Sequence, residues 1–304
     1  MKIGIDLGGT TLSVGLVNDQ SQIVKKIETL SHCEQGADAV ITRISNTIAD
    51  LLKKTDSPDI EYIGLGCPGI LDRKTGTVIY SNNIKWQQIP ICRKLQDRFN
   101  VPVYIENDAN CAAVGEYFAG AGRGSRQMIM ITFGTGIGGG IILDGKLYRG
   151  GHDNANIIGH ISIDRNGKVC NCKRKGCWEC YASTKALLRM AKEAGVFGDL
   201  PEQEIRGQVF FEALHRKEEH AIQVFDLYVD YVAEGIATLI NILDPERIVI
   251  GGGISAQGEI LLKPVREKVK QKIYFRNMET SEIICSMLGN DAAIIGAANL
   301  MQAQ

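Results

Sequence analysis

One pattern constrains this chain more than any other: a strand, a glycine turn and an antiparallel return strand, written twice. Lys2 to Asp6 is an apolar strand, Leu7-Gly8-Gly9-Thr10-Thr11 turns it, and Leu12 to Val17 returns. Met128 to Phe133, the turn Gly134 to Gly140, and Ile141 to Leu143 repeat that order. Apolar runs bounded by glycine specify hairpins. Two of them predict two similar α/β domains, each offering a glycine turn to one shared ligand. Gly8, Gly9, Thr10 and Thr11, like Gly134, Thr135 and Gly136, expose the backbone N–H groups and hydroxyls that a polyphosphate needs. An ordinary hairpin is the alternative for either turn alone. A third cluster, Gly251 to Gly253, follows strand 248–250, and three clusters together favour nucleotide binding, with Gly252 and Gly253 as contacts. Gly134 to Gly139 contains G-x-G-x-x-G, but a dinucleotide fingerprint opens a helix, and here Ile141-Ile142-Leu143 continues as strand.

The intervening stretches alternate in the same way. Ala37, Val40, Ile41, Ile44, Ile48 and Leu51 keep one helical face. Strand Tyr62 to Leu65 runs into Gly66-Cys67-Pro68-Gly69, and strand Val101 to Ile105 into Glu106-Asn107-Asp108, with a helix from Ala109 to Ala119. Gly120 to Gly124 marks the expected domain boundary. A long helix from about Glu218 ends at Asp244-Pro245, and a last helix spans Asp291 to Met301. The predicted organisation is a small lobe at 1–119, completed by 291–304, and a large lobe at 120–290. Asp6 ends the first strand, where a carboxylate can orient Mg²⁺ and its waters, or simply cap a turn. Asp108 leaves a strand and enters a helix, where it can accept a proton from a substrate hydroxyl, or serve as an N-cap.

Soft-ligand chemistry is concentrated in one place. From His160 to Cys180 the chain reads HISIDRNGKVCNCKRKGCWEC, with Cys170, Cys172 and Cys177 spaced C-x-C-x4-C. Thiolates and an imidazole this close suit tetrahedral Zn²⁺, against the alternatives of a disulfide or reduced surface thiols. Glu179 adjoins the loop, and His160 is a candidate both for metal and for substrate. The remaining cysteines sit mostly in apolar surroundings, and nine is an odd number, which fits a reducing, cytoplasmic setting. With 34 basic and 35 acidic side chains and no basic stripe, nucleic acid is not an expected partner. No apolar run reaches membrane-spanning length, and the amino-terminal end lacks the apolar core of a signal peptide.

Together these residues resemble the ROK family of sugar kinases, in the superfamily shared by hexokinase and actin. Asp6-Leu7-Gly8-Gly9-Thr10 and Gly134-Thr135-Gly136 look like its phosphate motifs. Gly66-x-Pro68-Gly69, Asn83-x-x-Trp86 and Glu106-Asn107-Asp108-Ala109-Asn110 look like its sugar-side elements. Gly159-His160 followed by Cys170-x-Cys172-x4-Cys177-x-Glu179 is similar to its signature. The resemblance implies a two-lobed, actin-like (ribonuclease H-like) α/β fold with mixed sheets flanked by helices. It implies ATP and Mg²⁺ as co-substrate and cofactor, a structural Zn²⁺ on His160, Cys170, Cys172 and Cys177, and a homodimer or homotetramer. Asp108 would be the general base for a sugar primary hydroxyl, and Gly69, Asn83, Asn107, His160 and Glu179 would hold the sugar. A set of four cysteines including Cys180 is the alternative metal site.

Three positions depart from the family pattern. Where A-G-E-I-G-H is usual, the chain reads Ala155-Asn156-Ile157-Ile158-Gly159-His160, so Ile157 stands where a glutamate binds sugar. Leaving a hydroxyl unpaired in a dry pocket costs about 1–3 kcal/mol, so the substrate lacks, inverts or enlarges that group, or glucose binds poorly. Thr11 replaces a usual lysine, and Lys173 a usual glycine in the zinc loop. The expectation is a glucokinase-like hexose kinase. An N-acetylated amino sugar as substrate is one alternative, and a non-catalytic sugar-binding regulator is another. The regulator is disfavoured because the chain starts at the first phosphate strand and keeps Asp6, Asp108, Gly134 and Gly136.

Overall fold

The structure is a computed structural model that describes residues 1–303. In chain order the elements are β1 (Lys2–Leu7), β2 (Thr11–Val17), β3 (Ile23–Leu30), α1 (Ala37–Lys53), β4 (Ile63–Gly66), β5 (Ile70–Asp72), β6 (Thr77–Ser81) and β7 (Trp86–Ile89). Next come α2 (Ile91–Phe99), β8 (Val103–Glu106), α3 (Asp108–Ala119), β9 (Met128–Phe133), β10 (Ile137–Leu143), β11 (Lys146–Leu147), α4 (Glu179–Ala182) and α5 (Thr184–Glu193). The chain closes with α6 (Gly207–His215), α7 (Glu219–Leu243), β12 (Arg247–Gly251), α8 (Glu259–Lys272), β13 (Glu282–Cys285) and α9 (Asp291–Ala297). Two compact units result. Residues 1–128, 140–156 and 287–303 form the first, and residues 129–139 and 157–286 the second.

Two five-stranded sheets follow one plan, in the orders β3-β2-β1-β4-β8 and β11-β10-β9-β12-β13. The doubled hairpin of the sequence is therefore a doubled sheet. In the first unit β1 pairs antiparallel with β2 and parallel with β4. One face of that sheet buries Ile3, Ile5, Leu7 and Val14 with Val40, Ile44, Ile48 and Leu51 of α1, the helical stripe expected from the spacing. On the sheet, Gly4 lies opposite Gly64, and α9 packs directly on that pair. A Cβ on Gly4 would fall 2.0 Å from the Ile294 carbonyl oxygen, and one on Gly64 1.8 Å from that of Ala297. Gly115 of α3 and Gly296 of α9 are equally close to the opposite helix, at 2.0 Å and 1.6 Å from its carbonyl oxygens. Small residues thus let α3 and α9 approach backbone to backbone.

In the second unit α7 is the longest helix, and Trp178 is fully buried against it. The indole N–H donates to the Tyr231 carbonyl at 2.7 Å, and the ring meets Phe133 edge-on at 5.7 Å. Gly235 makes room, since a Cβ there would lie 2.0 Å from the indole. The second glycine run differs from its sequence reading in extent. The turn is confined to Gly134–Gly136, and Ile137 already begins β10. Gly139 lies in that strand, where a Cβ would fall 2.5 Å from the Met130 carbonyl oxygen and against the Ile158 side chain. The last helix is also shorter than expected, ending at Ala297 before further turns.

Candidate active site

The first unit carries two half-buried carboxylates. Asp6 lies inside β1, paired with Ser13 and Gly66, so it caps no turn. No ion pair or hydrogen bond to its carboxyl is present among the described residues. Burial, then the charges of Asp108 and Glu28, push its pKa up from 3.8 to about 7. Such a carboxylate lacks a counter-ion and suits a cation. Beyond it the Gly8 N–H donates to the Thr11 carbonyl at 2.8 Å, while Gly9, Thr10 and Thr11 are exposed. Asn83 is brought to this turn, its carbonyl oxygen 3.4 Å from a Cβ placed on Gly9. Gly69 has φ +124° and lies under the Tyr80 carbonyl, whose oxygen would be 2.4 Å from a Cβ there.

Asp108 opens α3, but the cap is Asn107. The Asn107 Oδ1 accepts from the N–H groups of Ala109 at 3.0 Å and Asn110 at 3.4 Å. Capping being assigned elsewhere, Asp108 stands as the first helical residue with Oδ1 accepting from Ala109 N–H at 2.9 Å. Burial pushes its pKa up, while the Ala109 bond and the Asn107 side chain pull the other way. A raised carboxyl pKa is what proton abstraction near neutral pH requires.

In the second unit the soft ligands converge. The loop doubles back through bridges Ser162–Cys177 and Val169–Lys175, and Cys170 and Arg174 close a tight turn through their backbone at 2.8 Å. Donor atoms of His160, Cys170, Cys172 and Cys177 all lie within 4.8 Å of one another. His160 Nδ1 is 3.5 Å from Cys170 Sγ, and Cys172 Sγ is 3.5 Å from Cys177 Sγ. Tetrahedral zinc with bonds of about 2.0–2.3 Å needs edges of this size, so the four residues fit the ion. Cys180 lies outside the group. Lys173 takes φ +71°, the left-handed conformation that a glycine there would adopt freely. Glu179 opens α4 and is held by its buried neighbour Trp178. One of its oxygens accepts from Cys170 Sγ at 3.1 Å, 3.6 Å from His160 Nδ1. The other would be 2.6 Å from a Cβ on Gly136, so Glu179 lies directly against the glycine turn.

A cavity of about 760 Å³ opens beside that turn. Gly134, Thr135 and Gly253 line it, together with Thr184, Lys185, Leu188 and Arg189 at the start of α5. The Thr184 N–H donates to the Gly134 carbonyl at 2.9 Å, which joins the helix start to the turn. Gly252 has φ +84° and lies on the Phe133 carbonyl, 2.2 Å from a Cβ position. The α5 wall had no motif to reveal it. Neither had Arg73 and Arg149, which bind Glu106 in the first unit. Burial favours the neutral form of Glu106, but two bonds and the charge of Arg73, with Asn110 and Arg149, hold its carboxyl below the ordinary range.

Among the described residues no helix is long and apolar enough to cross a membrane, and all nine cysteines are free. The ROK family matches over residues 2–304. The glucokinase of Thermotoga maritima is 39% identical, over 99% of this chain and 96% of its own. A xylose repressor of Caldicellulosiruptor bescii is 33% identical over 97% of this chain and 76% of the repressor. Among solved structures, a ROK family glucokinase from Streptomyces griseus, in complex with glucose and AMPPNP, superposes with a TM-score of 0.83. It is 34% identical and covers 98% of each chain. The mixed sheets flanked by helices are those of the actin-like kinases, and this chain belongs to the ROK family.

Proposed function

We propose that this ROK protein is a hexose kinase that transfers the γ-phosphoryl group of ATP to a sugar's primary hydroxyl, with Asp108 as general base. The observation that carries it is Asp108 itself: a carboxylate at a strand-to-helix junction, relieved of capping by Asn107 and raised in pKa by burial. It would take the hydroxyl proton as the oxygen attacks phosphorus, while ADP leaves. Asp6 and the turn at Gly8 to Thr11, with Gly134 to Gly136, Gly252 and Gly253, would hold the triphosphate. The cavity lined by Thr184 and Leu188 would take the rest of the nucleotide. Bound Mg²⁺ supplies charge neutralisation of the phosphates, and the uncompensated Asp6 fits it. Asn83, Asn107, His160 and Glu179 would hold sugar hydroxyls, with Gly69 leaving space. Zinc on His160, Cys170, Cys172 and Cys177 would fix the imidazole's tautomer and aim. It also requires Cys170 as thiolate, which removes the proton shared with Glu179 and leaves that carboxylate free for a hydroxyl.

Among hexoses, an N-acetylated amino sugar or another substituted ring is the second reading, because Ile157 replaces the glutamate that binds sugar in the family pattern. Ile157 is 61% exposed, so position 157 offers an apolar surface in place of a carboxylate. Retained Asp6, Asp108 and both phosphate turns argue for turnover over the regulator alternative, although repressors share the fold. A homo-oligomer belongs to this reading, and Tyr274, Phe275 and Met278 are exposed apolar side chains on the second unit.

The test is ATP consumption with glucose, mannose, allose, N-acetylglucosamine and N-acetylmannosamine, on wild type, Asp108→Asn and Ile157→Glu. Turnover with at least one sugar is expected, lost by about 10²-fold or more in Asp108→Asn with sugar binding retained. Ile157→Glu should shift preference toward sugars with a free hydroxyl. An inactive wild type, or an active Asp108→Asn, would overturn the assignment.

A further inference from the structure

Glu106 is fully buried, and its carboxylate receives N–H donors from four residues on three segments of the first unit. Oε2 accepts from Arg73 Nε and Arg149 Nε, each at 2.8 Å. Oε1 accepts from Arg73 Nη2 at 2.5 Å, the Asn107 N–H at 2.8 Å and Asn110 Nδ2 at 2.9 Å. Arg73, from the turn after β5, also donates Nη1 to the Asp153 carbonyl at 2.7 Å. Arg149 begins the strap 149–156, which is closed by Ala155 N–H on the Arg149 carbonyl at 3.0 Å. Asn110 extends the network, its Oδ1 accepting from Asn156 Nδ2 at 2.8 Å, and the same amide group reaches the Tyr148 carbonyl at 2.7 Å.

A buried ion network of this kind is poor evidence for stability, because apolar packing of equal volume commonly does as well. What it provides is geometry. Glu106 stands two residues before Asp108, and Asn156 immediately precedes Ile157 in the chain. One carboxylate therefore sets where α3 starts and how the strap leading to position 157 is held. We propose that Glu106 is a positioning residue for the phosphoryl-transfer reaction, locking the base-bearing start of α3 to the strap through Arg73, Arg149 and Asn110. The proposal rests on the kinase reading above.

Glu106→Gln keeps the shape but leaves two guanidinium groups without their anion. The expected result is a fall in kcat of about 10²-fold, the effect of misplacing a reacting group by about 1 Å. The sugar KM should stay within about threefold, as for an interaction used to orient the base rather than to bind. In Glu106→Gln/Arg149→Gln one stranded cation is removed, so thermal stability should recover while kcat stays low. Recovery of kcat together with stability would reduce Glu106 to a structural counter-ion and overturn the proposal. Amide hydrogen exchange, measured without any substrate, separates this from the kinase reading. Glu106→Gln should speed exchange at Asn110 and Ala155, and unchanged exchange overturns the proposal whatever the activity. Faster exchange in a chain inactive on every sugar would show that Glu106 locks the start of α3 to the strap, while overturning the kinase reading and with it the catalytic purpose of that lock.

Discussion

At the scale of single residues, the candidate site shows how much local chemistry can be inferred and where inference stops. Asp6 and Asp108 stand out in the sequence because each is an acid where an apolar strand gives way to a glycine turn or to a helix. Which of Asn107 and Asp108 caps α3 is decided only by the backbone, since either side chain can accept from the helix start. Glu106 illustrates the opposite case. An acid in a buried strand looks like an error until Arg73 and Arg149, distant in sequence, are seen on its oxygens. Lys173 gives a prediction at this scale. It holds a left-handed conformation, φ +71°, at a cost of about 1 kcal/mol for an L-residue. Lys173→Gly removes that strain, partly offset by the larger unfolded-state entropy of glycine. A net gain of about 0.5 kcal/mol is expected in denaturant unfolding of the metal-loaded protein. A loss of stability would show that the lysine side chain contributes more than its backbone costs.

At the scale of elements, periodicity was informative wherever one face of a helix or strand is buried. The stripe of α1 and the long α7 were legible for that reason, as were β1, β2, β9 and β12. The small sheet β5-β6-β7 was not, because its strands are three to five residues long and alternate weakly. Nor was α8, where Pro264 lies inside the helix. The packing of α9 on Gly4 and Gly64 was equally hidden, since glycine within a strand reads as a weakness. Gly64→Ala tests it. A methyl group 1.8 Å from a backbone oxygen cannot be accommodated by a rotamer change, so α9 must move. Destabilisation of about 3 kcal/mol is expected, measured by the denaturant midpoint at constant slope. A variant within about 0.5 kcal/mol of wild type would mean that α9 is not seated as described.

At the scale of the whole molecule, the zinc loop links composition to architecture. His160, Cys170, Cys172 and Cys177 are brought together by a loop with little regular structure, so a bound ion would contribute much of its order. Purified protein is expected to contain about one zinc per chain, and chelation should lower the melting temperature and open the loop to proteolysis near Arg174. Protein without zinc, or with a melting temperature indifferent to chelation, would remove that role. The sequence alone determined the doubled hairpin, the ligand spacing and the family, because those depend on residue types at short separations along the chain. The tertiary structure decided the partners of Glu106, the seat of α9, the α5 wall of the cavity and the place of residues 140–156 in the first unit. Each of these joins segments far apart in sequence through backbone approach or buried charge, and neither leaves a local pattern to be read.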